Sequence, residues 1–349
     1  MTNHIIPHTH TIIQALDMLN ALSGGVMTLM VTDESGKMVG TLTDGDVRRG
    51  LLAGHCPDHS VATVMHRSFS YLQGPEVDVE QLRQIRARGV RLIPVLDRDG
   101  SISRIIDTTL TDTLLPISAI LMAGGKGERL RPLTIDTPKP LLNVGGKPII
   151  DHNIHALAHV GVENIYVTVN YLAEKIEQHF ASPVAGVQVK CVREPKPLGT
   201  IGSAKLTPIP KHGVSVVMNS DLLTDVSLED MYLAHIKEQA AITIAAIPYN
   251  LSVPYAILTT EGHTVTALQE KPSYSFYANA GIYMINNELI HNLPDDTRVD
   301  ATDLISSTID NNLKVTYFPI SGTWIDIGSP DDYRHACELA AHRIGFNNK

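Results

Sequence analysis

The sequence predicts a doubly wound, mostly parallel α/β sheet preceded by a smaller α+β pair of repeats. Residues 24–40 and 88–104 echo one another, with Gly25, Val31, Asp33 and Gly36 matched by Gly89, Val95, Asp97 and Gly100, each 64 positions further on. From Leu115 onward, short β-rich runs alternate with stretches of helical period, the pattern of a parallel sheet covered by helices. The apolar run "ISAILMA" (117–123) then delivers the chain into "GGKGERLRP", at the edge where an open parallel sheet binds its ligand.

A length of 349 residues accommodates two domains, here 1–115 (repeats of about 1–60 and 61–115) and 117–349. With 37 acidic against 28 basic side chains the formal charge is −9, so a sequence-independent nucleic-acid binder is disfavoured and any anion must be met by local clusters. Cys56, Cys191 and Cys337 are far apart and form no CxxC pair, which fits a reducing cytoplasm. The opening "MTNHIIPHTHTII" lacks an export signal, and no window reaches the ~18 apolar residues of a membrane span. A cytoplasmic protein without membrane or nucleic-acid partners is expected.

Each N-terminal copy begins with a helix-like segment, "IIQALDMLNAL" or "VEQLRQIRAR", followed by a strand, an acidic glycine turn and a second short strand. Two such units can bury one shared core. The repeat, together with "GTLTDGDVRRG", resembles a tandem pair of CBS modules, in which Gly40, Thr43, Asp46 and Arg49 fit the spacing GxxTxxDxxR. The resemblance implies an adenine nucleotide between the halves, with Thr43 contacting phosphate and Asp46 accepting from ribose hydroxyls. The second copy carries Arg104, Asp107, Leu110 and Thr113 at these positions, so at most one site is intact. The alternative is a plain helix start, with Asp44 or Thr43 capping free amides before "DVRRGLL" in a pair that only supports structure or dimerises.

In the second domain the alternation runs "ISAILMA", "DHNIHALAHV", "NIYVTVN", "LAEKIEQHF", "VQVKCV", a glycine-led "GTIGSAKL" and "VSVVMNSD". Gly124, Gly125 and Gly127 leave amides uncovered that can converge on phosphate oxygens. Arg129 adds a planar fork suited to phosphate. A triphosphate carries about four charges, and a unit pair 4 Å apart is worth about 4 kcal/mol at an effective dielectric of ~20, so further cations and a metal are expected. Lys139, held between Pro138 and Pro140, is the next cation. "GGKGER" is not GxGxxG, and "GGKP" at 145–148 lacks the Ser or Thr of a P-loop.

The continuous "LMAGGKGERLRPLTIDTPKPLLNVGGKPII", followed in order by "EPKPLGTIGSA", "VVMNSDLL", "EKP", "ANAGIYMI" and "GTWIDIGSPDDY", resembles the sugar-1-phosphate nucleotidyltransferases. That family joins a nucleoside triphosphate to a sugar-1-phosphate and releases pyrophosphate, by positioning and by neutralising phosphate charge. The resemblance implies that Asp221 and Asp326 hold Mg²⁺. Both carboxylates sit at strand ends among apolar neighbours and need a partner; the alternative makes them caps or turn residues before "SLEDM" and "GSPDDY". Ser220 stands where many relatives carry glycine. Lys271 is implied to grip the sugar phosphate, with Glu270 and Asn279 on sugar hydroxyls; an ordinary Glu-Lys surface pair is the alternative. The base is implied to rest on the backbone of Leu121, Gly124, Leu198 and Gly199, with Glu194 reading its edge. A carboxylate only accepts hydrogen bonds, and guanine offers paired donors where uracil and thymine offer one, so GTP is the expected donor. The alternative is a solvated charge beside Lys196.

Domain order resembles the glucosamine-1-phosphate guanylyltransferases of bacterial legionaminic acid synthesis. Mannose-1-phosphate guanylyltransferases, glucose-1-phosphate uridylyl- or thymidylyltransferases and a noncatalytic nucleotide-sensing subunit are the alternatives. The expected partners are GTP, a sugar-1-phosphate, an adenine nucleotide at the CBS pair and further copies of the chain. No hexapeptide repeats follow "PDDYRHACELAAHRI", so no acetyltransferase β-helix is expected.

Overall fold

Each N-terminal repeat folds as a strand, a helix and a hairpin. The first comprises β1 (Ile5–Pro7), α1 (Ile12–Ala21), β2 (Thr28–Thr32) and β3 (Met38–Thr43), and continues into α2 (Asp44–Leu52). The second comprises β4 (Leu72–Gln73), α3 (Val79–Ala87), β5 (Leu92–Leu96) and β6 (Ile102–Asp107). In both, the first strand runs parallel to the second and the second antiparallel to the third. The register slips between Val31 and Thr32 in one copy and between Val95 and Leu96 in the other, so the bulge itself recurs at the spacing of the repeat. Met30, Met38, Leu92, Leu96 and Ile105 from both copies form one apolar cluster, and the Met38 amide donates to the Gly100 carbonyl at 3.0 Å. The second copy has no counterpart of α2. Asp107 instead accepts from the Thr109 amide (2.9 Å) and hydroxyl (2.6 Å), closing a turn.

This computed structural model describes residues 2–74 and 76–347. The chain divides into two compact units, one running to Pro116 and including His159–Gly161, the other made of Ile117–Ala158 and the chain from Val162 onward.

The second unit begins with β7 (Ile117–Ala123), the short β8 (Asn143–Val144) and β9 (Lys147–Pro148), and α4 (Ile149–His159). β10 (Asn164–Val169), α5 (Ala173–His179), β11 (Lys190–Arg193), β12 (Val214–Asn219), β13 (Leu222–Thr224) and α6 (Leu228–Lys237) follow. The last part holds β14 (Ile242–Ser252), β15 (Ile257–Glu261), β16 (Thr264–Gln269), β17 (Ser273–Asn286), α7 (Asn287–His291), α8 (Ala301–Asp310), β18 (Val315–Pro319), β19 (Trp324–Asp326) and α9 (Pro330–Asn347).

Seven strands form one sheet in the order β11-β10-β7-β12-β17-β14-β18. Only β17 runs against the others. The parallel strands at its centre are apolar along nearly their whole length because helices and loops cover both faces. The glycine-led segment expected to be helical yields only a 3₁₀ turn, Gly202–Leu206. Its leading amides are spent elsewhere: those of Ile201 and Gly202 both donate to the Val299 carbonyl, at 3.1 and 3.2 Å. Beyond Ala246 and before Asn279, β14 and β17 leave the sheet as a two-stranded ribbon, after a register break opposite Ile244 and Ala246. Among the described residues, no helix is long and apolar enough to cross a membrane.

Candidate active site

β7 ends at Ala123, and the loop that follows is shaped by two close approaches. A Cβ on Gly124 would fall 2.6 Å from Oε1 of Glu194, and Gly127, at φ +61°, would press one against Thr134 and Lys139 at 3.0 and 3.1 Å. These two glycines therefore let the loop fold tightly against its neighbours. Gly125 has nothing within 4 Å of its Cβ position, so its backbone is uncovered. A cavity of about 770 Å³ opens here, with Gly125, Arg129, Lys139, Glu194, Gly199 and Asp221 on its walls. That volume is in the range of a small-molecule site.

The two aspartates meet although 105 positions separate them (326 − 221). β13 pairs antiparallel with β19, setting Leu222 opposite Asp326, and the Ile327 amide donates to the Asp221 carbonyl at 3.2 Å. Ser220 fixes the approach: its amide (3.3 Å) and hydroxyl (2.7 Å) both donate to the Met122 carbonyl, tying the end of β12 to that of β7. A serine is thus accommodated, and used, at this strand end. Lys139, in the 3₁₀ turn Lys139–Leu141, is buried and ion-pairs with Asp221. Its ammonium also lies 3.8 Å from Oδ1 of Asp326. Arg129 rests on Gly328, whose Cβ would stand 3.2 Å from the guanidinium nitrogens. Neither aspartate caps a helix, because Ser227 caps α6 and the Ser329 hydroxyl accepts from the Asp332 amide at the start of α9.

This donor set suits a hard divalent cation. Oδ1 of Asp221 is buried without a partner. Burial and the neighbouring Asp221 charge hold the Asp326 carboxyl above its usual range, with Lys139 and Arg129 pulling the other way. A cation between the two would relieve both strains and complete its shell from ligand and water oxygens. No group of three or more His, Cys, Asp or Glu side chains that could hold a metal occurs among the described residues, so any ion here rests on this pair and its ligands.

Glu194 borders the opposite wall. It is buried, and Oε2 accepts from the Leu198 amide at 3.2 Å. Burial pushes its carboxyl above the usual range, with bonds from the Leu198 amide and the Ser203 hydroxyl opposing. The solvated Glu194–Lys196 pair is overturned, since Lys196 pairs with Asp296 at 2.8 Å. Gly199, at φ +85°, approaches so closely that a Cβ would fall 2.4 Å from the Val299 carbonyl oxygen. The Thr200 amide donates to Asp300 at 2.9 Å, and the Ala301 amide returns a bond to the Thr200 hydroxyl at 2.8 Å. Arg298 and Asp300, which the sequence reading missed, therefore join the wall. The Asp300-x-x-Asp303 capping box that opens α8 was the available signal.

Four expected residues are placed differently. Leu121 is fully buried, paired with Val167 and Met218 in the sheet interior, and Met122 and Ala123 line the cavity instead. Glu270 and Lys271 are exposed between β16 and β17 and do not line it, Lys271 adopting a left-handed φ of +41°. Asn279 is spent inside the register break, accepting from the Gly281 amide (2.9 Å) and donating to the Tyr283 hydroxyl (3.0 Å). That break still serves the site. Trp324 donates its indole N–H to the Ala280 carbonyl at 2.8 Å, anchoring β19, and Gly281 leaves room for Asn219 on the cavity wall. Leu198 is buried too, and contributes its amide to Glu194.

In the N-terminal unit, Gly40 permits a close approach, its Cβ position lying 2.9 Å from both the His66 carbonyl oxygen and Met65 Sδ. Thr43 caps α2, and Asp46 accepts from the Thr43 amide (2.8 Å), the Thr43 hydroxyl (2.6 Å) and Arg49 (2.5 Å). Burial works to raise the Asp46 carboxyl, yet these bonds bring it below the usual range. The plain helix start is thus fully realised, and a ligand would meet side chains already paired.

The family model described as Nucleotidyl transferase matches residues 118–343. The chain is 31% identical over 231 residues to the mannose-1-phosphate guanyltransferase of Debaryomyces hansenii, covering 62% of each protein. It is 29% identical over 226 residues to the mannose-1-phosphate guanylyltransferase of Mycobacterium tuberculosis, again covering 62% of each. The matched region spans 61–63% of the length of such curated relatives. Among solved structures, HddC from Yersinia pseudotuberculosis shares the fold at a TM-score of 0.51 and 24% identity, over 64% of this chain and 99% of that one.

Proposed function

The chain belongs to the nucleotidyl transferase family, and we propose that it is a sugar-1-phosphate guanylyltransferase, joining GTP to a hexose-1-phosphate with release of pyrophosphate. The convergence of an uncovered glycine loop, Lys139 and Asp221 on one cavity, with Asp326 3.8 Å from the Lys139 ammonium just behind its wall, carries this reading. In the proposal, the loop amides and Arg129 receive the triphosphate, and Lys139 turns from Asp221 toward phosphate oxygen as ligand enters. Asp221 and Asp326 would hold Mg²⁺, which when bound screens charge on the phosphate oxygens. The chain's own part is to orient the incoming sugar phosphate in line with the α-phosphorus and to keep the site dry.

Glu194, held by Leu198 against Gly124, reads the donor edge of guanine, and loss of that match costs about 1–3 kcal/mol. For the sugar, the relatives of known name move the choice from the expected glucosamine-1-phosphate to mannose-1-phosphate. With Lys271 away from the wall, we assign the incoming phosphate to Arg298, which lines the cavity and pairs with Asp300 at 3.2 Å. We read the N-terminal unit as a CBS pair, supported by its repeated bulge and shared core.

The test is pyrophosphate release with GTP, UTP, dTTP and CTP, each crossed with mannose-, glucosamine- and glucose-1-phosphate. GTP with mannose-1-phosphate is the expected best pair. A UTP or dTTP preference removes the role given to Glu194, and no turnover with any pair favours the nucleotide-sensing alternative. Titrating AMP, ADP and ATP against activity tests the N-terminal unit.

A further inference from the structure

The ribbon formed by residues 247–252 of β14 and 273–278 of β17 has two unlike faces. Tyr249 lies opposite Phe276 and Leu251 opposite Tyr274, so these four side chains share one face. On the other, Pro248 lies opposite Tyr277 next to the sheet, with Tyr277 against the Tyr317 ring at 4.5 Å between centroids, and beyond them Asn250 lies opposite Ser275 and Ser252 opposite Ser273. The polar face satisfies itself, Ser275 donating to Asn250 at 2.6 Å and the Ser252 and Ser273 hydroxyls lying 3.3 Å apart. The apolar face is left open. Tyr249, Leu251, Tyr274 and Phe276 are 57, 47, 37 and 55% exposed, the last two with stacked rings 6.5 Å apart.

Two strands alone are marginal in water, and a soluble sheet normally turns its apolar face to a core. We propose that this face docks on the same face of a second copy of the chain, ribbon against ribbon about a two-fold axis. Charge selects that occupant. The protein carries a net charge of −9, so copies repel over most of their surface. Residues 241–260 and 272–287, which include the whole ribbon, contain no Asp, Glu, Lys, Arg or His. A basic or acidic partner would find nothing to pair with here, whereas a copy meets an uncharged, self-complementary row of rings.

The area sets the strength. Three aromatic side chains of about 150–250 Å² each, roughly half exposed, together with Leu251 offer about 400 Å² per copy. Two copies would bury about 800 Å² of side chain, short of the ~1,200–2,000 Å² of a stable complex. The dimer is therefore a weak one.

Sedimentation velocity of the full chain over a concentration series tests this, with Phe276→Glu on the apolar face and Ser275→Glu on the polar face. The wild type should show a mass step that grows with concentration. Phe276→Glu should raise the dissociation constant of that step at least about tenfold, and Ser275→Glu should leave it unchanged. If Phe276→Glu fails to fold by circular dichroism, Leu251→Ser takes its place. A wild type that stays monomeric to roughly a hundred micromolar, a mass step untouched by the apolar-face variants, or equal loss in both faces' variants would overturn the interface.

Discussion

Two structures rise from the same edge of the central sheet and solve opposite problems. At the ends of β7 and β12, charge is gathered: Lys139, Asp221 and Asp326 lie within one cluster, and bonds such as Ser220 to Met122 brace it. At the extension of β14 and β17 there is no charge at all, and rings stand in the open. The first region spends apolar burial to hold polar groups in a strained array. The second leaves apolar surface uncovered and is built almost wholly from cross-strand pairs. Activity should therefore be brittle to change at the cavity and tolerant of change on the ribbon.

The sharpest break would come at Asp221. Asp221→Asn should lower turnover by at least about a thousandfold while the circular dichroism spectrum is retained, and should weaken Mn²⁺ binding measured directly by calorimetry. Near-normal activity would dissolve the contrast. Gly124→Ala ranks next: its methyl group would stand where Glu194 Oε1 now approaches. The KM for GTP should rise about tenfold to hundredfold with a smaller change for UTP, read from initial rates.

A smaller effect is expected from the buried carboxyl itself. The raised pKa of Glu194 means that the folded state disfavours its ionised form. The stability this group contributes is present below its unfolded-state pKa and lost as pH rises through the folded one. Glu194→Gln should thus melt a few degrees above wild type at pH 8 and level with it near pH 4, in calorimetric scans. On the ribbon, Leu251→Ser should change the melting free energy of the dilute monomer by no more than about 0.5 kcal/mol and leave turnover unaltered. A large loss there would show that the ribbon supports the cavity after all.

The elements legible in the sequence were those fixed by local pattern. The apolar runs of β7, β10 and β12 and the periodic α4 and α5 lie where the alternation put them. So do Gly124, Gly125, Gly127, Arg129, Lys139, Glu194 and Asp221 around the cavity, because a loop at a strand's carboxyl end has few directions to take. What escaped depends on distant partners. "GTIGSAKL" reads as a helix until Val299 claims its amides. Asn279 and Lys271 follow motifs of the right composition, yet a register break in β17 engages Asn279 with Gly281 and Tyr283, while Lys271 lies exposed in the loop ahead of that strand. Arg298 joins the wall through Asp300 and Thr200, a contact spanning a hundred residues.

The indole bond between Trp324 and Ala280 has a practical corollary. The chain contains a single tryptophan, and it sits two residues before Asp326 on the short strand β19. Its emission therefore reports from one known place. A ligand that draws the carboxylates together must disturb that strand, and the shift in fluorescence would follow binding in the untagged protein without any coupled assay.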